Sequence, residues 1–146
     1  MARSKKPVLK FKLLSKNAKL PFYAHDDDAA FDICSTLSGV LKKGECKSFP
    51  AGLASEFPSG WFVSVRGRGG LAKEGIDVLG GVVDAGYRGE WQIILANVGK
   101  KTYKIQKGER IAQGILQPAP RAEIVEVKKL SETKRGEKGF GSTGRK

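Results

Sequence analysis

Five short segments of this chain carry residue types that could act on an anion. The first is Arg66-Gly67-Arg68-Gly69-Gly70-Leu71-Ala72. Its arginines can donate charge-assisted hydrogen bonds to phosphate oxygens, and its glycines let backbone N–H groups approach closely. The second, Gly80 to Glu90, places Asp84 near a turn, where a carboxylate can polarise a water as general base. In the third, Asp26-Asp27-Asp28-Ala29-Ala30-Phe31-Asp32, an acidic cluster could hold a hard cation such as Mg²⁺ with several waters retained. The fourth, Gly108-Glu109-Arg110-Ile111-Ala112-Gln113, sets Gln113 among apolar neighbours, where its amide must find a backbone partner or a ligand. The fifth, Arg135 to Gly144, mixes phosphate-binding residue types with one aromatic, Phe140, whose face is free to stack on a base. Each has a plainer alternative: a surface turn, a turn-forming aspartate, a solvated acidic loop, a satisfied amide, a polar tail.

The elements that must position these residues are short. Gly is 19 of 146 residues, about twice the usual share, and with Pro it cuts the chain into brief pieces. Leu9–Leu13, Phe62–Arg66, Tyr103–Ile105, Ile111–Gln113 and Glu123–Val127 read as strands. Trp91 to Ala96 is an almost continuous apolar run, as in a strand buried on both faces. Gly81 to Trp91 reads as a hairpin with its return strand starting at Trp91. One short helix is expected around Leu71–Glu74. The pattern predicts an all-β fold: a β-sandwich, a jelly roll or a barrel. Residues 1–130 form one domain, with a basic extension over about 1–7, and 131–146 form a flexible C-terminal arm.

Composition narrows the function classes. No run approaches the ~18 apolar residues of a membrane-spanning helix, so no membrane role is expected. The basic start has no apolar stretch of a secretory signal, which sets the expectation of a cytoplasmic protein. Cys34 and Cys46 are too few for a disulfide scaffold, and there is no C-x-x-C pair. His25, the only histidine, is expected at the surface. The net charge of +12 suggests nucleic-acid binding until it is mapped. Residues 1–19 carry +7 and residues 128–146 carry +5, while 20–127 balance 13 basic against 13 acidic residues. The body is neutral between two basic ends. Contact of the basic N-terminus with nucleic acid or an acidic partner stands as a secondary use, against a simple solubilising tail.

Taken in order, the five segments resemble the five motifs of the deoxyuridine triphosphate nucleotidohydrolases (dUTPases), from about Ala24 to Gly144. Each motif is common alone; five in this order and spacing are specific. The resemblance implies a jelly-roll-like (β-clip), mostly antiparallel barrel or sandwich with one short helix, assembled as a homotrimer with active sites between subunits. It implies Mg²⁺-dependent hydrolysis of dUTP to dUMP and pyrophosphate, which limits uracil in DNA and supplies dUMP for dTMP synthesis. By motif position, Asp84 would activate water for attack on the α-phosphorus. Tyr87 would pack under the deoxyribose, leaving no room for a 2′-hydroxyl. Gly81, Val82 and Val83, with Gln92 on the return strand, would read uracil. Arg68, Gly69, Gly70 and Gln113 would hold phosphates, and Asp32 would support the metal through water. Arg135 would grip the outer phosphates, Phe140 would stack on uracil, and Gly141, Ser142 and Thr143 would wrap the triphosphate. Three positions depart from the family pattern: Gly69 for a serine, Gly86 for a second aspartate, and Lys138 for a tail glycine. The related dCTP deaminases are the alternative, but they commonly carry Glu where this chain has Asp84.

Overall fold

The computed structural model describes residues 6–141, 143 and 144. Residues alternating between apolar and polar become strands because a pleated backbone sends successive side chains to opposite faces. In chain order these are β1 (Lys10–Leu13), β2 (Phe31–Cys34), β3 (Gly39–Leu41), β4 (Cys46–Pro50), β5 (Leu53–Glu56) and β6 (Trp61–Arg66). A short helix follows, α1 (Gly69–Lys73), starting two residues before the expected Leu71. Then come β7 (Ile76–Leu79), β8 (Val82–Asp84), β9 (Gln92–Asn97), β10 (Tyr103–Ile105) and β11 (Arg110–Pro118).

Every ladder among the described residues is antiparallel. A four-stranded sheet runs β2-β11-β6-β8 and a three-stranded sheet runs β4-β9-β7, with β1-β5 and β3-β10 as flanking pairs. The core between them is apolar, with Ile33, Leu41, Leu53, Val63, Leu95 and Ile111 fully buried. Trp91 is buried as well and satisfies its indole N–H on Ser55 Oγ at 3.1 Å. Truncating such a residue to Ala costs about 3–5 kcal/mol, which makes it the main anchor where β9 begins. Buried Asn97 ends the same strand, donating to Leu41 O at 2.9 Å and Lys101 O at 2.8 Å.

Three local expectations change. The sequence from Gly81 to Trp91 predicts a hairpin, yet β8 pairs with β6 while β9 pairs with β4 and β7. The two segments splay into different sheets because Trp91 is drawn into the core, its N–H bonding Leu53 O at 2.8 Å. β9 is buried on one face only: Ile93 and Leu95 face the core, whereas Gln92 and Ile94 face outward and Ile94 is 42% exposed. Among the described residues nothing covers the outer face of the β4-β9-β7 sheet there. Finally, Glu123–Val127 forms no strand, and Ile124 is 96% exposed. Its β-branched residues have no sheet partner among the described residues.

Part of the N-terminal charge has an internal use. Lys10 Nζ pairs with Glu56 Oε1 at 2.7 Å, and Lys19 Nζ donates to Gly108 O at 3.2 Å. Both cysteines lie on strands and are free, Cys34 buried and Cys46 exposed. Burial pushes the Cys34 thiol up, away from the reactive thiolate.

Candidate active site

The splaying of β8 from β9 opens a cavity of about 280 Å³. Its walls are mostly apolar (Val65, Val78, Leu79, Trp91, Ile93 and Ile94), and Gly81, Val82, Val83, Asp84, Tyr87 and Gln92 line it with Glu90. Six of the expected site residues therefore meet here. β8 is the edge strand of its sheet, so one row of its backbone groups has no strand partner among the described residues. Val65 N–H donates to Gly81 O at 2.7 Å, which makes this a hydrogen-bonded pair. Antiparallel alternation then directs the Val83 backbone to β6 and turns Val82 and Asp84 to the open edge. Tyr87 N–H takes the Asp84 carbonyl at 3.1 Å. What remains along the edge is Val82 N–H, Val82 C=O and Asp84 N–H: donor, acceptor, donor. Only glycine suits position 81, where φ is +100° and a Cβ would run into Val65 O.

Tyr87 is set by its neighbours. Its hydroxyl donates to Glu90 O at 3.0 Å, and its ring lies so close over Gly89 that a Cβ there would strike it. Gln92 has both ends of its amide engaged: Oε1 accepts from Ser48 Oγ at 2.8 Å and Nε2 donates to Glu90 Oε2 at 3.1 Å. The other Glu90 oxygen accepts from Gly52 N–H at 3.1 Å, so this residue braces the cavity wall.

A second cleft, about 590 Å³, gathers Arg66, Arg68, Gly69, Gly70, Arg110 and Gln113 around Asp32. Asp32, Gln113 and Arg66 lie in one row across β2, β11 and β6. Arg68 Nε donates to Asp32 Oδ1 at 3.0 Å and Arg110 Nη1 to Oδ2 at 3.2 Å. Arg68 also donates to Arg110 O at 3.2 Å, and Gln113 Nε2 to Gly67 O at 2.8 Å. One carboxylate thus aligns two guanidiniums whose remaining donors, with Arg66, face the cleft. The amide of Gln113 satisfies a loop carbonyl and holds the glycine-rich turn to the sheet. Gly69 lies outside the left-handed region and a Cβ there meets no atom within 4 Å, so a serine would fit without strain.

Arg110 is a site residue that sequence reasoning does not single out, whereas Arg66 is one of the two arginines it reads as phosphate donors. A β-bulge between Arg110 and Ala112 shifts the register and turns Arg110 toward Asp32. Tyr103 supports the turn before it, donating to Glu109 Oε1 at 2.7 Å. Burial and that carboxylate push Tyr103 up to about 12, so it stays a neutral donor. His25 is exposed, as expected, but on the rim of the same cleft.

The two recesses share one sheet yet stand apart. Asp84 pairs with Phe62, four residues along β6 from Arg66, and lies two strands from Gln113. At ~3.3 Å per residue and ~4.8 Å between strands, the Asp84 and Gln113 backbones are about 16 Å apart. The described residues of the arm reach neither recess: Arg135, Phe140, Gly141 and Thr143 are exposed and line neither cavity. Arg135 Nε bonds Lys138 O at 3.0 Å, a local turn. Ser142 lies outside the described residues. Among the described residues no three of His, Cys, Asp or Glu converge as a metal cage. No helix among them is long and apolar enough to cross a membrane.

The dUTPase family model matches residues 16–144. A deoxyuridine 5′-triphosphate nucleotidohydrolase of Clostridium tetani is 47% identical over 141 residues, covering 94% of this chain and 97% of the relative. Among solved structures, the dUTPase of Staphylococcus bacteriophage 80alpha with dUPNHPP superposes with a TM-score of 0.88 at 32% identity. That match covers 94% of this chain and 98% of the other. A point mutant of the dUTPase from phage phi11 of S. aureus, described for its coordination of a structural Mg(II) ion, matches with a TM-score of 0.79 at 25% identity. It covers 86% of this chain and 99% of the other. The all-β body is thus jelly-roll-like, as these folds are.

Proposed function

The chain belongs to the dUTPase family, whose reaction is hydrolysis of dUTP to dUMP and pyrophosphate, and we propose that Asp84 activates the attacking water. The observation that carries this reading is the open edge of β8 beside Asp84. Its donor-acceptor-donor sequence complements the acceptor-donor-acceptor edge of uracil. Cytosine exchanges two of those groups and would leave buried polar atoms unpaired, which a site of this kind rejects strongly. Tyr87, held over Gly89, closes the sugar end against a 2′-hydroxyl.

Phosphates go to the arginine cleft. Arg68 and Gln113, with the backbone of Gly69 and Gly70 and the added charges of Arg66 and Arg110, supply donors already oriented before substrate arrives. Mg²⁺ suits this donor set when carried on the triphosphate with its waters, because the described residues offer single carboxylates rather than a cage. Asp32 would hold it through water, and the ion would neutralise phosphate charge.

The separation of about 16 Å bears on assembly, since reacting groups must come within about 3–3.5 Å. A nucleotide held by β8 of one copy would place its phosphates in the arginine cleft of the next. A head-to-tail contact whose rotation closes gives a ring, and we take that ring to be the homotrimer of the family. The uncovered face around Ile94 and the unpaired Glu123–Val127 segment fit contact with another copy. Residues 1–130 act as the body and 131–146 as the arm that brings Arg135, Phe140, Gly141, Ser142 and Thr143 over the substrate. The cytoplasm, where both free thiols stay reduced, is the compartment this reading implies.

A nucleotide panel tests it. With Mg²⁺, pyrophosphate release is expected from dUTP, at kcat/KM about 10⁴-fold above dCTP and UTP. Ammonia release from dCTP would instead support a deaminase.

A further inference from the structure

The residues from Ala85 to Trp91 carry Tyr87 and set the direction of Asp84. Their far end is tied to β5 by Trp91, whose N–H bonds Leu53 O at 2.8 Å and whose indole N–H bonds Ser55 Oγ at 3.1 Å, while the near end, Ala85–Gly89, has few bonds of its own. Gly86 and Gly89 loosen the backbone there, and apart from Arg88 the turn is held by Tyr87, whose N–H bonds Asp84 O at 3.1 Å and whose hydroxyl bonds Glu90 O at 3.0 Å. Because β8 is an edge strand, no ladder among the described residues holds the outer side. Arg88 supplies what is missing. Its Nη1 lies 2.7 Å from Ala85 O, 3.2 Å from Tyr87 O and 3.2 Å from Ser55 O. Two of these carbonyls flank the turn and the third belongs to β5, so a single guanidinium gathers the turn and ties it to the body. Arg88 lines a groove with Lys10, Lys12 and Glu56 and does not line the cavity that holds Asp84 and Tyr87.

We propose that Arg88 is a positioning residue: by fastening the turn to β5 it fixes Asp84 and Tyr87 relative to each other and to the open edge of β8. The inference rests on the functional reading above for its kinetic consequence and on geometry alone for the clamp. All three contacts fall on one amino group, whose two hydrogens the carbonyls share; the planar guanidinium fixes the direction of those N–H bonds, whereas an ammonium is a point charge on a flexible stem. Misplacement of a reacting group by ~1 Å costs about 10²-fold in rate, and a displaced Tyr87 would readmit a 2′-hydroxyl.

The test uses the full chain with Arg88→Ala and Arg88→Lys. Exchange of the Tyr87 amide, the one backbone N–H of Ala85–Gly89 with a hydrogen-bond acceptor among the described residues, is expected to quicken about tenfold or more in Arg88→Ala, with β6 and β9 unchanged and Arg88→Lys intermediate. Well below the unfolding temperature, kcat for dUTP is expected to fall about 10–100-fold, with little change in KM. The preference for dUTP over UTP should narrow by about tenfold, which a mere loss of folded protein would not produce. Unchanged exchange in the turn overturns the clamp, whatever the enzyme hydrolyses. Faster exchange with an unchanged dUTP/UTP preference overturns the positioning role. Failure of the unmodified chain to hydrolyse dUTP would strike the functional reading, while the exchange measurement would still judge the clamp.

Discussion

Asp84→Asn is expected to lower kcat for dUTP by about 10²–10⁴-fold while leaving the nucleotide bound. The residue closes β8 at the mouth of the base cavity, and its side chain is exposed. None of the ion pairs among the described residues engages its carboxylate. An amide of the same shape therefore breaks no internal contact and preserves the backbone N–H that faces the substrate edge. What is lost is the capacity to take a proton from water. Single-turnover hydrolysis together with equilibrium binding of dUTP separates the two effects. Near-normal turnover would remove Asp84 from the role of base, and lost binding would point to a structural one.

Truncation before Arg135 is expected to reduce kcat/KM by about 10²-fold or more with no drop in thermal stability. Beyond Ala119, whose N–H bonds Gly60 O at 2.8 Å, the hydrogen bonds of the described residues are all local. Phe140 is wholly exposed, so removing it uncovers no core. The loss falls on the substrate: a charge-assisted contact from Arg135 of about 1.5–3 kcal/mol and a base stack on Phe140 of about 1–3 kcal/mol. At 1.36 kcal/mol per tenfold this amounts to roughly 10²–10⁴-fold. Full activity in the truncated chain would exclude closure of the arm as part of the mechanism. Melting and steady-state rates on the same preparation decide the matter.

Much of the architecture was legible because alternation is local. Phe62–Arg66 and Ile111–Gln113 show their period directly and lie within β6 and β11. The glycine-rich turns were legible for a similar reason: a pair such as Gly80-Gly81 supplies the positive φ that both residues adopt and that other side chains resist. Pairing is a different matter. The Gly81–Trp91 segment satisfies every local sign of a hairpin, and only the pull of Trp91 into the core sends its two arms to separate sheets. Arg110 depends on a bulge, a change of register that leaves no mark in the residue pattern. The apolar run at β9 implied burial on both faces, but its outer face is left bare by the described residues. The candidate residues were thus recoverable by type, whereas their division into two recesses about 16 Å apart came only from strand register.

The most direct measurement follows the oxygen. If a water activated by Asp84 attacks the α-phosphorus, dUTP hydrolysed in H₂¹⁸O must yield dUMP carrying one ¹⁸O and pyrophosphate carrying none, as mass spectrometry of the two products would read. Label in the pyrophosphate, with unlabelled dUMP, would place the attack on the β-phosphorus and contradict the assigned geometry of Asp84.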